Sequence, residues 1–101
     1  MYARVSRWEG GDAEAIRATA AEISERSKTG PPEGVPGKAL LLLTDPENGR
    51  AMAIGLFETE ADLRQGDAAL NAMDPPGPGM GRRAAVEMYE VAVDVHAEAT
   101  V

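Results

Sequence analysis

The 101-residue chain contains no cysteine and a single histidine, His96. Disulfides, thiolate metal sites and a cysteine nucleophile are therefore excluded. One histidine close to the end of the sequence also rules out a Ser-His-Asp arrangement, because chain ends are commonly solvated and mobile. Aromatic residues are scarce: Tyr2, Trp8, Phe57 and Tyr89 are all there are. A core without large rings is packed from Ala, Val, Leu, Ile and Met, and gaps between them are expected to persist as cavities. Positive charge is also short. Ten basic residues against 17 acidic ones leave a net charge of −7, which repels phosphate backbones and anionic membrane surfaces. Nucleic acid and membranes are thus poor partners. The longest apolar run, Ala39 to Leu43, is far too short to cross a bilayer. No cationic segment followed by an apolar stretch opens the chain, and the expectation is a cytoplasmic protein.

What is present reads as one domain over residues 1–101, with 96–101 as a loose tail. Met1 to Trp8 alternates and begins with β-favouring types, so it reads as a strand, stopped by Gly10-Gly11. Asp12 stands at an N-cap position. From Ala13 to about Lys28, apolar residues at 13, 16, 20 and 23 mark a helix. Thr29 to Gly37 is a Pro/Gly loop. Lys38 to Thr44 is a second strand whose unbroken apolar run predicts cover on both faces. Asp45 to Gly49 turns the chain into a third strand, Arg50 to Glu58. Thr59 then caps a second helix with Asp62 at its third position; this helix runs to about Met73, with Leu63, Gly66, Leu70 and Met73 on one stripe. Asp74 to Gly81 is a second Pro/Gly loop, and Ala84 to Val95 the last strand. The order βαββαβ predicts an α+β, ferredoxin-like fold: a four-stranded antiparallel sheet with two helices on one face.

The third strand is apolar on both sides, with Met52, Ile54 and Leu56 on one and Ala51, Ala53, Gly55 and Phe57 on the other. A few hundred Å² of such surface is unusual on a monomer. A second copy packed sheet against sheet is the simplest remedy, since closed two-fold dimers are the commonest assembly.

Two segments, GVPGKALLLLTDPENGRAMAIGLFETEADL (34–63) and VEMYEVAV (86–93), resemble the antibiotic biosynthesis monooxygenase-like domains of the dimeric α+β barrel superfamily. The shared features are a strand ending in an aromatic-Glu entry to the second helix and a late aromatic-Glu-Val strand. The resemblance implies a homodimer with a ligand pocket between each sheet and its helices. It also implies cofactor-independent oxygenation of aromatic substrates or, in another branch, haem degradation. Phe57 stands where members often have Trp. Gly66 stands where the haem-degrading branch has its iron-binding histidine, which leaves the haem iron without its protein ligand. No cofactor and no metal are expected.

The resemblance also turns Phe57 toward the helices, so that the small residues of the third strand line space there. The candidate pocket is then Arg4, Ala53, Gly55, Phe57, Leu63, Met73 and Tyr89, and the candidate dimer interface is Met52, Ile54 and Leu56. A buried Arg4 requires either a carboxylate or an anionic ligand. Glu58, Glu60 and Asp62 are explained by helix capping and solvation, and the glycines of GPGMG (77–81) lack phosphate-loop spacing. Two functions from different classes stay open: an oxygenase-like enzyme acting on a small apolar or aromatic molecule, and a non-catalytic ligand-binding or dimerisation module.

Overall fold

A computed structural model describes residues 1–73 and 79–97. Strand β1 (Tyr2–Glu9) leads into helix α1 (Ala13–Arg26), strand β2 (Ala39–Asp45), strand β3 (Arg50–Phe57), helix α2 (Glu60–Ala72) and strand β4 (Arg82–Glu90). The sheet order is β2-β3-β1-β4 and each neighbouring pair is antiparallel. This is the ferredoxin-like arrangement expected from the element order.

Both helices start where their caps stand. Asp12 accepts a hydrogen bond from the Ala15 amide at 3.0 Å, and Thr59 Oγ1 accepts one from the Asp62 amide at 3.0 Å, each satisfying an amide the helix leaves unpaired. α1 stops at Arg26, earlier than the expected Lys28, and tightens into a 3₁₀ turn over Ser27–Thr29. Between β2 and β3, Pro46–Asn48 forms another short 3₁₀ turn that closes on Gly49. Gly49 has φ +66°, and a Cβ there would lie 2.6 Å from the Gly11 carbonyl oxygen. Only glycine meets both conditions.

Register assigns the faces. Across β1 and β3, Tyr2, Arg4, Ser6 and Trp8 oppose Phe57, Gly55, Ala53 and Ala51, and alternation puts these eight on one side. Phe57 touches the position of Gly66 on α2, so this side faces the helices. Ala3, Val5, Arg7, Met52, Ile54 and Leu56 lie on the other.

Three expectations are corrected. β2 is not covered on both faces: it is an edge strand, and Leu40, Leu41 and Leu43 stay 51%, 54% and 49% exposed in the single chain. β4 ends at Glu90, not Val95, because its partner β1 begins at Tyr2. The ladder's last link is the Val91 amide to the Met1 carbonyl at 2.9 Å. Tyr89 pairs with Ala3 and so projects from the outer face, away from the helices. The loop expected over 74–81 falls outside the described residues at 74–78, as does the tail beyond residue 97.

Candidate functional site

Under the helices the core is divided. At one end Ile16, Ala51 and Met80 are buried together, with Trp8 packed against them. At the other end Val35, Phe57 and Leu63 form a second cluster, flanked by Tyr2, Ala69 and Leu70. Between the two clusters the helix-facing positions of β3 are Ala53 and Gly55, both half-buried. A Cβ built on Gly55 would meet the Phe57 ring at 3.3 and 3.6 Å and no helix atom within 4 Å among the described residues. α1 lies mainly over β2 and its following turn, α2 over β1 and β3. Small side chains at Ala53 and Gly55 thus leave the space between the two clusters, under the helices, less filled than its ends.

One wall is fixed by charge. Arg4, only 6% exposed, donates from Nε to Asp67 Oδ1 at 2.8 Å and from Nη2 to Asn71 Oδ1 at 3.0 Å. Arg83, on β4, donates to the same Asn71 oxygen at 2.9 Å. Three elements, β1, β4 and α2, are thus tied through one amide. The buried arginine has found its carboxylate in Asp67, so it fastens α2 to the sheet and is not left waiting for an anion.

Of the other sequence-derived pocket residues, Ala53 and Gly55 form the floor and Phe57, 1% exposed, closes one end. Leu63 is buried behind Phe57 as core. Met73 is the exposed residue that ends α2, and Tyr89 is on the far side of the sheet. Asp67, Asn71, Val35 and Met80 were not identified from sequence. Val35 and Met80 sit in Pro/Gly loops with no periodic signal, yet each plugs one end of the split core.

The outer sheet face is different. Met52, Ile54 and Leu56 lie here beside Ala3, Val5, Leu41 and Leu43. Its charges are all paired: Arg7 with Glu87 at 2.6 Å, Arg82 with Glu9 at 3.3 Å, and Arg50 with Asp45. Tyr89 donates to the second oxygen of Glu87 at 2.7 Å. The Arg7 hydrogen bond, then that of Tyr89, holds the Glu87 carboxyl below its ordinary range, and the Tyr89 hydroxyl is raised by its bond to Glu87.

The position that would hold a haem iron has no donor side chain. At Gly66, where the resemblance assigns an iron ligand, a Cβ would lie 2.6 Å from Phe57 Cζ and closer still to Cε1. No side chain enters until that ring moves. Among the described residues no group of three or more His, Cys, Asp or Glu is placed to hold a metal ion, and no helix is long and apolar enough to cross a membrane.

No family model matches the sequence, and no curated protein does. Among solved structures, the haem degrader MhuD of Mycobacterium tuberculosis, recorded with two haems bound in its active site, is similar with a TM-score of 0.65. The match covers 95% of this chain and 100% of that one at 15% identity. The chain accordingly shares that structure's fold, four antiparallel strands and two helices in the order βαββαβ. At such low identity the likeness concerns the fold alone.

Proposed function

We propose that this chain is a small-molecule-binding protein that works as a homodimer, its groove between α1 and α2 enclosing a compact, largely apolar molecule. The observation that carries this reading is the divided core: apolar clusters at both ends and, between them, Ala53 and Gly55, with no helix atom of the described residues within 4 Å of a Cβ built on the glycine. Apolar space of this kind is where small ligands are commonly enclosed. Arg4 and Asp67 are engaged with each other, so the groove offers enclosure and shape. Binding without catalysis is the better-supported class, and any oxygenation would have to proceed from the reactivity of the bound molecule itself.

The homodimer follows from the outer face. Four strands at a spacing of about 4.8 Å, seven to nine residues long at roughly 3.3 Å per residue, present a flat extent of roughly 510 Å². Its centre is aliphatic and its rim charges are paired, on a chain of net charge −7. Two copies meet there with the least repulsion and remove Leu41 and Leu43 from water.

Titration with the apolar fluorophore 1-anilinonaphthalene-8-sulfonate tests the groove. Ala53→Leu fills the floor and lowers affinity about tenfold, equivalent to about 1.4 kcal/mol, while Leu43→Ser on the outer face leaves the same site in place. Unchanged affinity in Ala53→Leu contradicts the reading.

A further inference from the structure

Among the described residues two polar side chains are buried, Arg4 at 6% and Ser6 at 4% exposure. Both stand on the helix-facing side of β1, and they differ in what they touch. Arg4 has Asp67 and Asn71 as acceptors. The Ser6 hydroxyl has no hydrogen-bond partner among the described residues. No side-chain nitrogen or oxygen of those residues is at once sealed off and unpartnered, so the Ser6 hydroxyl still opens onto space. Register fixes which space. Ser6 opposes Ala53 on β3 and Val86 on β4, and Ala53 opposes Leu42 on β2. The helix-facing row at this level is therefore Leu42, Ala53, Ser6 and Val86: three apolar side chains and one hydroxyl. It crosses the sheet between the two core clusters, where Ala53 and Gly55 leave the interior less filled than its ends.

We propose that Ser6 is the hydrogen-bonding contact of this space, and that its occupant is a compact apolar molecule whose buried part carries one uncharged oxygen: a phenol, an alcohol or a ketone. The proposal rests on the ligand-binding reading above. A buried hydroxyl without a partner weakens the fold, whereas alanine or valine at the same place would not. A serine hydroxyl both donates and accepts, so it meets a hydroxyl or a carbonyl oxygen equally well. The neighbours settle the charge. The Arg4 guanidinium is engaged by Asp67 and Asn71, and an ionic group set against Leu42, Ala53 and Val86 would lose its water without gaining a counter-ion. Apolar sites of this kind take the orientation of their ligand from a small number of placed polar groups.

Two readouts on Ser6→Ala test this. The first needs no ligand. A hydroxyl bonded within the protein is lost at the expense of stability, whereas one without a partner is not. The urea midpoint of Ser6→Ala is therefore expected to equal or exceed that of the unmodified chain, and a lower midpoint overturns the proposal. The second is calorimetric titration with 1-naphthol and with naphthalene, the same rings with and without an oxygen. Ser6→Ala is expected to bind 1-naphthol about tenfold more weakly than the unmodified chain does and naphthalene equally well. Suppose 1-naphthol fails to bind the unmodified chain, or Ser6→Ala leaves its affinity unchanged, or weakens both molecules alike. If Ala53→Leu still weakens 1-anilinonaphthalene-8-sulfonate, the role of Ser6 is then overturned and the ligand-binding reading stands. If Ala53→Leu weakens none of the three probes, both fall.

Discussion

The two faces of β3 are equally apolar and serve different ends. Toward the helices it presents Ala51, Ala53, Gly55 and Phe57; away from them, Met52, Ile54 and Leu56. On the first side a second layer is present, and the side chains in mid-strand are too small to reach it. On the second the side chains are large, and the single chain supplies no layer to meet them. Side-chain volume, not hydrophobicity, distinguishes a face that leaves space from one that needs a partner. The same contrast recurs in charge: Arg4 is buried with its carboxylate under α2, whereas Arg7, three positions on, pairs with Glu87 in the open.

The sharpest break in this contrast is at Phe57. Its ring fills the corner between Gly55 and Gly66, so Phe57→Ala removes the wall that closes one end of the groove. A loss of about 3–5 kcal/mol in stability by urea denaturation is expected, as for other buried aromatic truncations. A loss below about 1 kcal/mol would show that the second core cluster does not form.

A smaller effect separates the two arginines. Asp67→Ala leaves Arg4 buried without its carboxylate, at an expected cost of about 2–3 kcal/mol, below the full buried-pair value because Asp67 is partly open to water. Arg4→Met combined with Asp67→Leu should recover most of that loss, since the charge and its partner are removed together. Equal losses in Asp67→Ala and the double variant would mean that α2 is not held through this pair.

Local chemistry was legible in the sequence and long-range register was not. Asp12 and Thr59 mark helix starts because a cap acts within three residues. The assignment of Ala53, Gly55 and Phe57 to the helix side followed the resemblance; in the structure Phe57 lies against Gly66 of α2. Position within the sheet is a different matter: KALLLLT reads like a central strand, yet β2 is at the edge, and nothing within a strand records which neighbours it will have. The end of β4 depends on where β1 begins, eighty-odd residues away in sequence. Tyr89 was placed in the pocket although its pairing with Ala3 turns it outward. Arg4 was legible as a residue in need of a partner; Asp67, 63 positions on, was not, because ion pairing across a fold leaves no local pattern.

The account turns on the two faces having opposite roles, and sedimentation equilibrium on the unmodified chain, Gly55→Leu and Ile54→Asp tests that most directly. The unmodified chain and Gly55→Leu are expected to sediment as dimers at micromolar concentration. Ile54→Asp is expected as a folded monomer, since an unpaired carboxylate cannot be buried in the interface. A dimeric Ile54→Asp together with a monomeric Gly55→Leu would contradict the assignment of the outer face, and the groove reading with it.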